Sequence, residues 1–175
     1  MSNDQVQQLL DYKAIVELKA RFVHTVDAKD WDGYRAVFTP NDGTFDFGGG
    51  FVVEGGNTFV DMVASQLEDA VSVHRAFLPQ IEFVSATEAR GEWAVNDYIE
   101  YTPDPVTGER RGQQGFGYEY ETYRKVDGAW KIAGWRLKYI RLDPLPRLPL
   151  PDGFLGGADV LRDRDYIAGV TAPPY

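Results

Sequence analysis

The sequence contains no cysteine and only two histidines, His24 and His74, among its 175 residues. The lack of cysteine excludes disulfide bonds, thiolate metal sites and cysteine nucleophiles. Two histidines are also too few for a multi-histidine metal centre. We therefore expect no metal site.

Glycine is plentiful, but its spacing is not that of a nucleotide-binding loop. The stretches 48–50 and 112–117 match neither the phosphate loop nor the dinucleotide-binding fingerprint, and no Lys-Ser or Lys-Thr pair follows them. The sequence therefore predicts no nucleotide cofactor, and we expect no other cofactor.

Basic residues are outnumbered by acidic ones, 18 to 27, which gives a net charge of −9. An acidic surface repels phosphate backbones and anionic lipid heads, so we expect neither nucleic acid nor a membrane as partner. No apolar run approaches the roughly 20 residues of a membrane span. The opening Met1-Ser2-Asn3-Asp4 lacks the basic and apolar regions of a signal peptide, and a cytoplasmic location is expected.

Aromatic residues are abundant, with four Trp, ten Tyr and ten Phe. A chain of this length fits one domain and buries roughly 70% of the surface that its unfolded form exposes. The aromatic side chains are therefore numerous enough to fill a core and to wall an internal pocket.

The first third of the chain has the pattern of helices. Apolar residues recur at three- and four-residue steps over 12–28, which predicts an amphipathic helix. Asp30 is placed to cap a second, short helix that Pro40 ends. A third helix is predicted over 59–67.

The rest of the domain has the pattern of strands, with Pro79 dividing one of them and Asp127-Gly128 forming a two-residue hairpin turn. Long strands with period-two alternation have one buried and one wet face. We predict an α+β fold, in which a curved mixed or antiparallel sheet wraps over the N-terminal helices. The predicted strands are 44–47, 51–54, 71–77, 80–85, 89–101, 113–126 and 129–142.

Prolines dominate the sequence from Pro144 onward. We expect the domain to occupy 1–143 and a Pro-rich arm, 144–175, to extend over it or over a neighbouring subunit. Apolar residues on the sheet's convex face and in this arm need covering, which predicts a homodimer or homotrimer. Those of the arm are Phe154, Leu155, Val160 and Tyr166.

Asp27 is a candidate site residue because it follows the apolar Val23 by four positions and Val26 by one. Helical geometry places its carboxylate at the edge of the buried stripe, facing inward or nearly so. A buried carboxylate needs a partner. Capping of the next turn is the alternative role, although Asp30 is the better cap by position.

His74 lies in a predicted strand and shares a face with Ser72 and Ala76. A lone strand histidine is often structural, but imidazole is also the side chain best suited to proton transfer near neutral pH. A carboxylate on one ring nitrogen fixes the tautomer and strengthens the other nitrogen as a base. Pairing with Asp27 would explain both placements; His24 is the rival partner.

Aromatic side chains supply the other candidate site residues. Tyr118 is flanked by glycines and shares a face with Phe116, so we predict both in the pocket wall and Tyr118 as a possible acid; plain core packing is the alternative. Asp46, between Phe45 and Phe47, is expected to point outward. The further candidates for wall or donor are Trp31, Tyr34, Phe47, Tyr98 and Asn96.

Several segments together resemble one known family, the SnoaL-like branch of the nuclear transport factor two-like superfamily. Its members include scytalone dehydratase, bile acid 7α-dehydratase and hexachlorocyclohexane dehydrochlorinase. The resemblance spans about 10–142 and implies a cone-shaped α+β barrel. The matching segments are Val26-Asp27, Val73-His74, 81–86, 120–124 and the hairpin 127–132.

The resemblance implies a cofactor-independent lyase in which Asp27 orients His74, and His74 removes a proton while a β leaving group departs. The family lyases carry a polar residue where this chain has Phe22, and an arginine where it has Trp135 with Arg136 next. Either Arg136 enters the pocket through a bulge, or Trp135 fills the place. We assign all three residues to substrate binding.

The expected substrate is small and hydrophobic, an aromatic or polycyclic hydroxylated compound. Dehydration is the main hypothesis. Isomerisation, cyclisation and carbon–carbon cleavage with loss of an aldehyde are alternatives within the same pocket, and a non-catalytic ligand-binding protein is the alternative outside enzymology.

Overall fold

Three helices precede most of a six-stranded sheet. The computed structural model describes residues 2–102, 104–109 and 111–145, so nearly all of the predicted arm lies outside the described residues. The helices are α1 (Asn3–Ala28), α2 (Trp31–Arg35) and α3 (Gly56–Leu67). The strands are β1 (Thr44–Asp46), β2 (Val52–Glu54), β3 (Val71–Phe83), β4 (Glu88–Glu100), β5 (Gly112–Val126) and β6 (Ala129–Pro144).

Helix α1 begins nine residues earlier than its apolar periodicity predicts. Ser2 accepts the backbone N–H of Gln5 at 3.3 Å, and the Gln5 side chain accepts the Ser2 backbone N–H at 2.9 Å, which forms a capping box. Leu9 and Leu10 are exposed in this first part. The cap, and not burial, therefore sets where the helix begins.

The sheet has the order β2-β1-β6-β5-β4-β3. Neighbouring strands are antiparallel except for β1 and β6, which run parallel through the pairs Phe45 with Trp135 and Asp46 with Arg136. The predicted α+β fold with a mixed sheet over N-terminal helices is thus confirmed. Within the described residues β2 and β3 are the two edges, so the sheet forms an open cone and does not close on itself.

Strand β3 continues through Pro79, where the sequence predicted a break. Leu78 adopts a left-handed φ of 48°, and the pairing with β4 shifts register between Phe77 and Gln80. A bulge of this kind accommodates the missing N–H of proline on an edge strand. The Asp127-Gly128 turn between β5 and β6 is confirmed, with φ of 49° and 80°, both positive as a type I′ turn requires.

The core lies between the helices and one face of the sheet. Its centre is aromatic: Phe45 and Phe59 stack with ring centroids 4.4 Å apart, and Phe38 meets both edge-on. Ile15, Leu18 and other apolar residues of α1 pack on the same side. In the described ranges no helix has the length and apolar character needed to cross a membrane.

Candidate functional site

A cavity of about 250 Å³ lies between the helices and the inner face of the sheet. Its size and mixed lining are those of a site for a small organic molecule. The apolar lining residues are Phe22, Val26, Phe47, Phe59, Val63, Leu67, Ile99, Trp135 and Leu137. The polar lining residues are Tyr34, Gln66, His74, Asp97, Tyr101, Gln113, Glu119 and Tyr139.

Asp27 and His74 meet at this cavity. Asp27 is 4% exposed, and its Oδ1 lies 2.7 Å from Nδ1 of His74. Its Oδ2 accepts the backbone N–H of His74 at 2.8 Å. One carboxylate therefore holds both the ring and the strand that carries it.

The end of α1 builds the support behind this pair. Lys29 caps the helix in the left-handed conformation, with φ of 58°, and its buried Nζ donates to Ser72 Oγ at 2.6 Å. Ser72 Oγ in turn donates to Asp27 Oδ1 at 3.1 Å. The Asp27 carboxylate thus has three hydrogen-bond donors, which compensate its burial.

These contacts determine which ring nitrogen of His74 is basic. An ionised carboxylate only accepts hydrogen bonds, so Nδ1 of His74 carries the proton toward Asp27. The other ring nitrogen, Nε2, then carries no proton and keeps its lone pair. His74 itself lines the cavity. An imidazole oriented in this way can accept a proton from a bound molecule.

Four of the aromatic residues assigned to the pocket line it. Phe22 comes from α1, Tyr34 from α2, Phe47 follows β1, and Trp135 lies on β6. Phe47 and Trp135 meet edge-on at one side of the cavity, with ring centroids 5.0 Å apart and planes at 68°. Trp135 lies at the position where the resemblance implied an arginine.

The assignment of Tyr118, Phe116 and Tyr98 to the pocket is wrong, because all three face away from it. Phe116 is 40% exposed, and none of the three lines the cavity. Tyr98 instead donates through its hydroxyl to Glu100 at 3.0 Å. These bulky aromatic side chains were predicted on the inner face of the sheet, but they lie on its outer face.

The inner face of β5 carries glycines and glutamates for a physical reason. Glu119 and Glu121 both bind the ammonium of Lys19, a residue of α1 that is 1% exposed. This ion-paired group, called here the Lys19 cluster, keeps the two glutamates inside. Gly115 and Gly117 precede them on the same face and leave space that larger side chains would fill.

The assignment of Arg136 and Trp31 to substrate binding is also wrong. Arg136 points to solvent with a side chain 67% exposed, where its Nε donates to Asp46 Oδ2 at 2.8 Å. Trp31 donates its Nε1–H to Glu68 and packs edge-on against Tyr34 behind the cavity wall. Asp46 has the outward position that was expected of it.

Seven polar residues at or next to the cavity were not predicted as site residues: Lys19, Gln66, Asp97, Tyr101, Gln113, Glu119 and Tyr139. Asp97 and Glu119 were hidden by period-two alternation, since a charged residue on a strand is ordinarily assigned to the wet face. The signal that could have found Glu119 is Lys19 within the apolar stripe of α1, because a buried lysine requires buried acidic partners.

Burial shifts the protonation of several groups here. Burial, with added effects of Glu119, Glu121 and Asp27, raises the pKa of Tyr34 well above its ordinary value, so its phenol stays neutral. Burial alone would lower the pKa of Lys19, but Glu119 and Glu121 outweigh it and raise that pKa. The pKa of Glu121 is raised, chiefly by burial.

A cluster of three or more histidine, aspartate and glutamate side chains suited to a metal ion does not occur in the part of the chain that the structure describes. The carboxylates at the cavity are engaged by Lys19, by His74 with Ser72, or by Tyr139. The site residues thus have the chemistry of an acid–base pocket.

Comparison with known proteins gives one family and one fold. Residues 7–136 match the SnoaL-like domain. The structure is similar to a hexachlorocyclohexane dehydrochlorinase, LinA type 2, with a TM-score of 0.72 and 18% identity over 86% of this chain and 99% of that one. It is also similar to a putative scytalone dehydratase from Novosphingobium aromaticivorans, with a TM-score of 0.69 and 20% identity over 86% and 99% of the two chains.

A third similar structure is that of a Mycobacterium tuberculosis protein of unknown function. Its TM-score is 0.64 and its identity 25%, over 81% of this chain and 78% of that one. Together these likenesses support the cone-shaped α+β fold.

Proposed function

This chain belongs to the SnoaL-like domain family, and from that premise we propose that it is a cofactor-independent lyase of the dehydratase type. Structurally similar proteins include a dehydrochlorinase and a putative dehydratase, both of which carry names of elimination enzymes. In the proposed reaction, Nε2 of His74 takes a proton from carbon while a group on the neighbouring carbon departs.

The observation that carries this proposal is the Asp27–His74 pair at the wall of a largely apolar cavity. Positioned acid–base catalysis contributes on the order of 10²–10⁴ in rate. Asp27 stabilises the imidazolium that forms when His74 accepts a proton, and its bond to Nδ1 holds the ring in one orientation. No other group is needed to make Nε2 the base.

The cavity lining favours a neutral substrate. Among the described residues, its wall contains no arginine or lysine but does contain Asp97 and Glu119. Glu119 is already paired with Lys19, so an anionic substrate would find no unpaired cation among the described lining residues. Aromatic walls with a few polar groups suit a hydroxylated aromatic or polycyclic compound.

Trp135 is a candidate donor to the substrate. Its indole Nε1–H is buried and has no hydrogen-bond partner in the described part of the chain, while the residue itself lines the cavity. A buried donor without an acceptor costs free energy, on the order of 1–3 kcal/mol. A carbonyl oxygen of a bound substrate would remove that cost and would stabilise the enolate formed by proton removal.

The first test uses 3-hydroxy-1-tetralone, a bicyclic β-hydroxy ketone whose dehydration yields 1-naphthol, followed by absorbance. We expect turnover by the wild-type protein and a fall of at least about 10²-fold in kcat/KM for His74→Ala, since the base is removed. Binding of 1-tetralone, which has no leaving group, should stay within a few-fold, because the cavity walls are intact.

The matched control is His24→Ala, which removes the exposed histidine of α1. It should leave turnover unchanged. Retention of turnover in His74→Ala above the spontaneous rate would refute the proposed base.

Product analysis separates dehydration of 3-hydroxy-1-tetralone from its rivals in the same pocket. Loss of one water from the substrate mass indicates dehydration, whereas an unchanged mass indicates isomerisation, cyclisation or carbon–carbon cleavage that opens the ring to an aldehyde. Tight binding of 1-tetralone without conversion of the hydroxy ketone would instead favour a ligand-binding protein.

A further inference from the structure

Asp97 lies directly beside His74 on the sheet. The two residues are register partners in the antiparallel pair of β3 and β4, and both line the cavity. Side chains opposite one another in such a pair have Cβ atoms about 5 Å apart. A bound molecule that touches Nε2 of His74 is therefore within reach of the Asp97 carboxyl group.

Asp97 is buried without full hydrogen bonding. It is 5% exposed, and its Oδ2 accepts the hydroxyl of Tyr139. Its Oδ1 has no hydrogen bond of ordinary geometry within the described residues, and the backbone N–H of Gly115 makes only a weaker contact that lowers the pKa of the carboxyl group. A buried carboxyl oxygen in this state is suited to a partner that arrives with the ligand.

The environment of Asp97 favours its protonated form. Burial is the largest cause that raises the pKa of this carboxyl group, and Glu119 adds to the rise. The hydrogen bond from Tyr139, the nearness of His74 and the backbone N–H of Gly115 oppose the rise without cancelling it. Tyr139 itself stays neutral, because burial and Asp97 raise its pKa.

Gly115 on β5 makes room for this arrangement. A Cβ atom at this position would lie 2.2 Å from Cε1 of Tyr139 and 2.8 Å from Oδ1 of Asp97. Both distances are shorter than atoms tolerate, so any larger residue would push the pair apart. The absence of a side chain at Gly115 is thus part of how Asp97 and Tyr139 reach the cavity.

We infer that Asp97 is a catalytic residue, the acid that gives its proton to the departing oxygen of the substrate. This role rests on the proposed function. Nε2 of His74 takes the proton on the carbon next to the carbonyl, and the C–H electron pair forms the C=C bond. The C–O bond breaks, its oxygen takes the proton of Asp97, and water leaves.

The cycle closes without any further reactant. After the step His74 is an imidazolium and Asp97 a carboxylate, and transfer of the proton from the first to the second restores both. Because the two groups project from the same face of one sheet, they meet the same face of the substrate. The geometry therefore favours syn loss of the proton and the hydroxyl group.

The test compares two leaving groups on one ring system, 3-hydroxy-1-tetralone and 3-chloro-1-tetralone. Hydroxide needs a proton to depart, whereas chloride does not. Asp97→Asn should lower kcat/KM for the hydroxy compound by about 10²–10⁴-fold. For the chloro compound it should leave kcat/KM within a few-fold of wild type, after subtraction of the spontaneous reaction.

Two controls accompany this comparison. Asp127→Asn makes the same substitution at the exposed hairpin turn, where asparagine tolerates the left-handed φ, and should change neither rate. Tyr139→Phe keeps the acid but removes its hydroxyl donor. Because the Tyr139 hydrogen bond lowers the pKa of Asp97, its removal should move the alkaline limb of the pH–rate profile to higher pH, and only for the hydroxy compound.

Each outcome has one meaning. If Asp97→Asn is folded by circular dichroism and slows both compounds equally, or slows neither, the acid role is wrong while the proposed base stands. If His74→Ala converts both compounds at the wild-type rate, the proposed function is wrong. If the wild-type protein converts neither, both proposals fail.

Discussion

Among single residues, Asp27 constrains His74 twice, through the ring nitrogen at 2.7 Å and the backbone N–H at 2.8 Å. The backbone N–H requires an oxygen at the Oδ2 position. In Asp27→Asn the amide nitrogen is therefore left facing Nδ1 of His74. That nitrogen would donate to Nδ1 and place the ring proton on Nε2, so the base would be lost.

For Asp27→Asn we expect kcat/KM for 3-hydroxy-1-tetralone to fall by about 10²–10⁴-fold. Nitrogen-15 NMR of His74 should show the proton moving from Nδ1 to Nε2. Asp30→Asn is the matched control, since asparagine caps a helix as well as aspartate does. Wild-type turnover in Asp27→Asn would mean that the carboxylate does not serve the reaction.

The buried carboxyl group of Asp97 is expected to reduce the stability of the folded protein. Its raised pKa means that the folded protein holds a proton that the unfolded chain releases. Stability is then lost as pH rises from the ordinary carboxyl range through the folded-state pKa. Asp97→Asn removes this loss and keeps an acceptor for the hydroxyl of Tyr139.

We therefore expect Asp97→Asn to be more stable than wild type at mildly alkaline pH, by on the order of 1 kcal/mol, with a smaller gain at acid pH. Urea denaturation at both pH values measures this. A gain that is independent of pH, or a loss at alkaline pH, would show that the Asp97 charge is not the cause.

Among the elements, α1 and β5 are joined by the Lys19 cluster. Lys19 also lies over the Phe22 ring at 4.0 Å, and Tyr123 donates to Glu121 while accepting from Trp93 at 2.7 Å. These contacts fix which face of β5 is inward. The pairs of Lys19 with Glu119 and Glu121 are long-range in sequence, and alternation of the aromatic residues within β5 therefore predicted the opposite face.

Lys19→Met should destabilise the fold by about 3–5 kcal/mol, because it leaves two buried carboxylates without their cation. Chemical denaturation measures the loss. Lys13→Met, which removes an exposed lysine of α1 paired with Glu17, should cost little. Adding Glu119→Gln to Lys19→Met should recover part of the loss; equal stability of the two lysine variants would contradict a structural role for the cluster.

For the whole molecule, local patterns were enough to predict the fold. Helical periodicity, strand alternation and the Asp127-Gly128 turn are encoded within short segments, and their order implies the sheet over the helices. The start of α1 was missed because a cap and not an apolar stripe sets it. Self-association through the outer sheet face stays a prediction.

The candidate site was only partly predictable. The inward side of Asp27 follows from helical spacing, and its contact with His74 was expected from the resemblance. The other half of the site depends on the register of β4, β5 and β6, which brings Asp97, Glu119 and Tyr139 to one cavity. Register is a property of the assembled sheet, and no single strand reveals it.

The central claim is that His74 removes a proton from carbon inside the cavity, and exchange of the α-protons of 1-tetralone in D₂O tests it without any leaving group. Proton NMR should show catalysed exchange by the wild-type protein, by His24→Ala and by Asp97→Asn. His74→Ala should exchange only at the spontaneous rate. Exchange by His74→Ala at the wild-type rate would contradict the account.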